Sequence, residues 1–258
     1  MSTYPGGKSG AGVYQTLINQ MPPHRVYVEP FLGGGAIMRL KRPAEVENIG
    51  VDLDMQVIQD FQAPRAPIPY PRGKFYCLDG IELMQHLGKY LAPGPIHPKN
   101  DVMIYCDPPY LMGTRSSQRQ LYRYEMEDDD HRRLLDTILN LNYMVMISGY
   151  ANEMYDQALA GWRRLTYPAM TRGGSLAEEV IWMNYPEPWE LHDYSFIGAD
   201  FRERERIKRK IKRWKGKLSR MEQMERAALM LAINEVRYSD APATSPEPAI
   251  LAPVEVKE

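Results

Sequence analysis

Short apolar runs that end on an acid or a glycine and give way to a helical segment recur along most of this chain, and no other feature restricts its fold more. Arg25–Glu29, Glu47–Asp52, Lys74–Leu78, Val102–Cys106 and Tyr143–Ser148 read as strands. The segments Ile37–Leu40, Met55–Phe61, Ile81–Leu91, His131–Leu141 and Glu153–Leu159 that follow them read as helices. Strands joined through helices predict a mostly parallel sheet with helices on both faces, because a parallel pair needs a long crossover. Two further strands, Trp162–Tyr167 and Glu179–Tyr185, are joined by a short loop and are expected to be antiparallel. The expected fold class is therefore α/β, with a seven-stranded, mostly parallel sheet. A helix over Ala11–Met21, stopped by Pro22-Pro23, precedes it.

In such sheets ligands bind beyond the carboxyl ends of the strands. Three strand ends carry residues suited to that. Val102–Cys106 runs into Asp107-Pro108-Pro109-Tyr110, where two prolines stop the strand and fix the backbone, with a carboxylate, a carbonyl and an aromatic ring side by side. The same tetrad also serves as an ordinary strand-ending turn. Arg25–Glu29 leads into Pro30-Phe31-Leu32-Gly33-Gly34-Gly35-Ala36, a glycine turn at the start of a helix, where backbone can approach a ligand closely. Glu47–Asp52 ends on an acid about 20 residues beyond that turn, where doubly wound folds bind ribose hydroxyls. Asp52 is the better ribose ligand and Asp54 the better helix cap. Asp79, at the end of the third strand, reads equally as a cap or a ligand.

Gly6-Gly7-Lys8-Ser9 looks like the end of a phosphate loop, but no strand can precede it and Ser2 stands where the first glycine is needed. Cys77 and Cys106 lie in expected buried strands and read as small core hydrophobes, and the five histidines have no ligand spacing, so no metal site is expected. There is no apolar run of membrane-spanning length, and the N-terminus has no apolar core of a signal peptide. A cytoplasmic protein, associated with the nucleoid if its partner is DNA, is expected.

The net charge of −1 conceals segregation: residues 200–237 carry +7, residues 238–258 carry −3 and the rest −5. Ile207, Ile211, Trp214, Leu218 and Met221 form an apolar seam on a helix whose other faces include Lys208, Lys212 and Lys215. One-sign charge of this density suits a polyanion. Three regions are expected: an α/β domain over residues 1–195, a basic helical appendage over 196–237 that meets a polyanion or dimerises, and a disordered tail over 238–258. The loop Leu111–Tyr124, with Arg115, Arg119, Tyr122 and Arg123, is basic with interleaved tyrosines and suits phosphate contact and base stacking.

Tyr4-Pro5-Gly6-Gly7-Lys8, Glu29-Pro30-Phe31-Leu32-Gly33-Gly34-Gly35, Asp52-Leu53-Asp54, Asp107-Pro108-Pro109-Tyr110, Tyr122-Arg123-Tyr124-Glu125-Met126 and Glu179–Tyr185 occur in one order over roughly residues 4–185. In that order they resemble the DNA adenine N6-methyltransferases of the deoxyadenosine methylase type, which use S-adenosylmethionine (SAM). The resemblance implies a SAM-dependent methyltransferase (Rossmann-like) fold whose last strand is antiparallel. It places Tyr4 and Lys8 near the methionine end of SAM, Phe31, Gly33 and Gly35 at the pocket wall, Asp52 on the ribose and Asp79 toward the adenine of SAM. It makes Asp107, Pro108, Pro109 and Tyr110 the catalytic turn that holds the target base, with Asp107 also bordering the cofactor. The partner implied is double-stranded DNA, with a short palindromic site if the protein is a homodimer, as an orphan or restriction-modification methylase. One departure stands out: relatives often carry a long target-recognition segment ahead of the tetrad, which here is short. Sequence reading is then expected from the Leu111–Tyr124 loop, the turn containing Arg172, and the basic helices. N4-cytosine methylation and a catalytically silent DNA-binding protein are the alternatives.

Overall fold

In the computed structural model the described residues are 7–63, 73–91, 99–114, 122–170 and 176–239. Seven strands form one sheet: β1 (Val26–Glu29), β2 (Glu47–Asp52), β3 (Gly73–Cys77), β4 (Val102–Cys106), β5 (Met144–Gly149), β6 (Arg163–Met170) and β7 (Leu176–Met183). Their order is β3-β2-β1-β4-β5-β7-β6. All neighbours are parallel except β7, which runs antiparallel to both β5 and β6. The fold is the expected one. The strand order reverses between β1 and β4, and this is the switch point where an open sheet leaves a crevice.

The helices of this unit are α1 (Val13–Ile18), α2 (Ala36–Leu40), α3 (Met55–Gln62), α4 (Gly80–Gln85), α5 (Asp128–Leu139) and α6 (Glu153–Ala158). Alternation along the strands divides the core in two. Val26 and Val28, Val102 and Ile104, Val145 and Ile147, and Val180 and Trp182 pack with α4, α5 and α6 in one apolar cluster. The intervening Tyr27, Met103, Tyr105, Met146 and Ile181 are also fully buried and point to the other face. Burial of each such side chain stabilises the fold by about 1.5–3 kcal/mol. This parity decides the site, because Glu29, Asp107, Ser148 and Glu179 continue the second set of positions.

Two expectations need correction. Cys77 is only half-buried, because β3 is the edge strand and none of its residues is fully covered. The helix expected over Ile81–Leu91 ends at Gln85, and a 3-10 turn at Leu87–Lys89 follows, with Gly88 weakening the continuation.

A second compact unit begins at Tyr194. It contains α7 (Phe201–Leu218) and α8 (Gln223–Ser239). The Asp200 side chain caps α7 by accepting from Glu203 N at 2.8 Å, and Lys215 and Lys217 occupy the last turn, where cations suit the helix dipole. No residue of α7 is buried, and on its apolar seam Ile211 and Trp214 are exposed. The expected disordered tail, apart from Tyr238 and Ser239 at the end of α8, lies outside the described residues.

Candidate active site

The turn after β1 is held open by its glycines. Gly33 and Gly35 have positive φ (48° and 60°), and a Cβ at Gly35 would lie 2.2 Å from the Phe61 ring. The turn is tied to the end of β2: Leu32 N donates to Val51 O at 2.8 Å, and Gly33 N donates to Asp52 Oδ2 at 2.9 Å. The other oxygen of Asp52 accepts from Asp54 N at 2.9 Å. Burial pushes the Asp52 carboxyl up, and these two N–H groups pull it back down. Asp54 caps α3 through Gln56 N at 2.9 Å, as expected, and pairs with Arg123 at 3.2 Å.

From this turn a cleft of about 240 Å3 runs to the Asp107 turn; Lys8, Glu29, Phe31, Asp52, Asp107 and Arg123 are among the residues that line it. Gly33, Gly35, Pro109 and Tyr122 also line it. Residues from the ends of β1, β2 and β4 thus meet in one cleft at the switch point. Asp79 does not border it. Its carboxylate caps α4 through Ile81 N at 2.8 Å and pairs with Arg133 of α5, so the structure gives Asp79 a capping role in place of the expected contact with SAM adenine. An acid before a helix carries the same sequence signature in either role.

At the far end, Asp107 is clamped. Lys8 Nζ lies 2.8 Å from Asp107 Oδ1, and Ser148 Oγ at the end of β5 donates to the same oxygen at 2.9 Å. Tyr105 OH lies 3.0 Å from Ser148 Oγ and completes that chain. Lys8 also pairs with Glu179 of β7 at 3.4 Å and donates to Tyr110 OH. Tyr110 OH donates to Glu179 Oε2 at 3.1 Å, and Tyr167 OH of β6 donates to it at 2.6 Å. Tyr167 and Glu179 are direct cross-strand partners. Burial opposes the Lys8 charge, but Asp107 and Glu179 outweigh it and hold the ammonium above its ordinary range. Burial pushes the hydroxyls of Tyr105, Tyr110 and Tyr167 well up, so all three remain donors. Glu29, also in the cleft, is pushed up to about 8 by burial, against a hydrogen bond from Tyr27 OH at 3.1 Å.

The proline turn is a partition. Asp107 and Pro109 border the large cleft, while Pro108 and Tyr110 border a cavity of about 10 Å3 on the other side, with Tyr150, Asn152 and Tyr155. The Tyr110 ring is packed edge-on against Tyr150 with centroids 4.8 Å apart.

Of the expected DNA contacts, Tyr122 and Arg123 border the large cleft, and Lys208, Lys212 and Lys215 lie exposed on α7. Tyr4, Arg115, Arg119 and Arg172 lie outside the described residues. Sequence reasoning missed Glu29, Ser148, Tyr167 and Glu179 as site residues. The available signal was parity: each is a polar group on the same sheet face as Asp107.

No protein-family model matches the sequence, and no curated protein matches it. Solved structures with a similar course exist. A Pyrococcus horikoshii protein described as a candidate RNA methyltransferase is 14% identical, with a TM-score of 0.42 over 67% of this chain and 81% of that one. A SAM-dependent methyltransferase from Agrobacterium tumefaciens is also 14% identical, with a TM-score of 0.41 over 66% of this chain and 58% of that one. The magnesium protoporphyrin IX methyltransferase of Synechocystis PCC 6803, solved with bound SAM, is 13% identical, with a TM-score of 0.40 over 67% and 76% of the two chains. Likenesses this distant do not bear on what the present chain binds or does.

Proposed function

We propose that this chain is a SAM-dependent DNA methyltransferase that methylates N6 of an adenine flipped out of double-stranded DNA. The observation that carries the reading is the clamped carboxylate: both anchors of Asp107 fall on Oδ1, at the end of a cleft that starts with a glycine turn and Asp52. That leaves Oδ2 to accept from a ligand. The cleft residues fit SAM. Gly33 and Gly35 bring backbone to the wall of the cleft, Phe31 supplies an apolar wall, and the Asp52 carboxylate suits ribose hydroxyls.

SAM, when bound, supplies an electrophilic methyl group. The protein supplies the rest. An exocyclic amine is a poor nucleophile because its lone pair is delocalised into the ring. Asp107 Oδ2 and the Pro108 carbonyl accept its two N–H groups and draw the nitrogen toward tetrahedral geometry, which frees the lone pair. Lys8 and Ser148 hold the acceptor still, so the gain is one of positioning and prearranged charge. Extruding the base costs a few kcal/mol. Stacking on Tyr110 recovers about 1–3 kcal/mol of it, and this requires Tyr150 to move, because the cavity beside Pro108 is too small for a purine as it stands. The basic helix α7, with ten Lys/Arg against two Glu, is proposed to contact DNA phosphates. A homodimer on a palindromic site suits a two-fold target.

The test is nucleoside analysis of DNA incubated with the protein and SAM. N6-methyladenine is expected, and Asp107→Ala is expected to abolish it while the protein still unfolds cooperatively, at a lower temperature because the Lys8 ammonium loses a partner. N4-methylcytosine would move the reading to the other exocyclic amine. Absence of both SAM binding by calorimetry and modified bases would leave a silent binder and overturn the proposal.

A further inference from the structure

Glu179 has no part in the chemistry as written above, yet it is the hub of the polar cluster behind the catalytic turn. It is buried, at 7% exposed, and heads the part of β7 in which Val180, Ile181, Trp182 and Met183 are all fully covered. Its Oε2 receives Tyr110 OH and Tyr167 OH and lies 3.4 Å from Lys8 Nζ. A buried ionic group is a poor way to gain stability alone, since apolar residues of similar volume often do as well or better. Through these partners it reaches both ends of the Asp107–Tyr110 turn, Tyr110 directly and Asp107 by way of Lys8.

We propose that Glu179 is a positioning residue for methyl transfer: it shares the Lys8 ammonium with Asp107 and fixes the Tyr110 hydroxyl, so that Asp107 remains a strong acceptor for the substrate amine. The inference rests on the reading of the site as a methyltransferase. Without Glu179, Lys8 would pair with Asp107 alone, and a carboxylate fully neutralised by its own ammonium accepts a further hydrogen bond weakly. Tyr110 would lose its acceptor on β7, and of the two polar contacts described for its hydroxyl the one from Lys8 would remain.

The titratable groups facing Asp107 are Lys8, Glu29, Tyr105, Tyr110, Tyr167 and Glu179. Burial is the main influence raising the Asp107 carboxyl; Lys8 lowers it and Glu179 raises it. Glu29, at about 8, is mostly neutral at neutral pH. Removing the Glu179 charge therefore makes Asp107 less basic.

The experiment compares wild type with Glu179→Gln, which keeps shape and loses charge, by kcat, KM for SAM and the pH dependence of kcat/KM on a methylatable duplex. The expected result is a loss of kcat of about tenfold, modest beside the effect of removing a direct transition-state contact, with KM for SAM changed little and the acidic limb of the profile displaced to lower pH. A merely structural role would lower activity without moving that limb. If Glu179→Gln does not fold, Tyr167→Phe removes a single donor to the same carboxylate and is expected to lower kcat at unchanged KM for SAM. A wild-type protein that neither binds SAM nor methylates DNA overturns the reading of the site and this inference with it. A wild type that methylates while the variant matches its kcat and pH profile overturns the inference alone.

Discussion

Lys8→Met separates charge from packing at the centre of the site. Methionine keeps much of the apolar stem and removes the ammonium, which lies 2.8 Å from Asp107 and 3.4 Å from Glu179 with its side chain only 4% exposed. Two buried carboxylates then face each other without a cation. Breaking one side of a buried ion pair costs about 3–5 kcal/mol, which in a domain of this size lowers Tm by roughly 10 °C. The pH dependence fixes the sign. In the wild type the Lys8 value is raised, so its contribution is complete below the unfolded value of 10.5 and is lost only as pH rises through the higher folded value. Lys8 therefore adds no slope in the neutral range. In the variant the Ser148 hydrogen bond remains but the Lys8 charge no longer offsets the burial of Asp107, whose folded value climbs further above the ordinary 3.8. A raised carboxyl is most stabilising while protonated, so stability is lost as pH rises from 3.8 through the new folded value. Urea unfolding of both proteins at about pH 5 and about pH 8 should show a deficit that is larger at the higher pH. A deficit below about 1 kcal/mol, or one equal at both pH values, would refute the buried clamp.

Burial pushes the Glu29 carboxyl from its ordinary 4.5 up to about 8, so its contribution to stability is present below 4.5 and lost as pH rises through about 8. Glu29→Gln, an isostere of the neutral acid, should therefore unfold at higher temperature than wild type above that value and differ little in mild acid, as calorimetry at two pH values can read. Asp52→Ala removes the acceptor of both Gly33 N and Asp54 N and the proposed ribose contact, and SAM affinity by titration calorimetry should fall at least about tenfold for the loss of a charged hydrogen-bond partner. Deleting residues 200–237 should weaken DNA binding and flatten the dependence of log affinity on log salt, and an unchanged slope would remove α7 as a phosphate contact.

The elements that position the site are legible in the sequence because their causes are local. The boundaries of β2 and β4 follow from apolar runs bounded by turns, and the cap Asp54 from an acid placed just before a helix. Asp79 shows the limit of such reasoning. An acid at a strand end satisfies the helix behind it or a ligand in front of it with the same letters, and only the position of Arg133, brought near by the packing of α4 on α5, separates the two. The clamp is further from legibility. Lys8, Asp107, Ser148 and Glu179 are far apart in the chain, and Glu179 joins the others because β7 pairs beside β5. Which face each residue occupies can be read from alternation along its own strand. Which strand lies beside which cannot, since that depends on the whole sheet.

The contact between Lys8 and Glu179 joins the beginning of the domain to its last strand. During synthesis, Lys8 and Asp107 leave the ribosome well before Glu179 exists, and β7 must pair with β5, carrying β6 at its outer edge, before the carboxylate reaches the ammonium. Until then Lys8 has no second carboxylate and Tyr110 has no acceptor on β7. A nascent chain thus carries the Asp107–Tyr110 turn with its Lys8 and Ser148 anchors before the contacts to Glu179 exist, so the polar cluster is complete only when the sheet is.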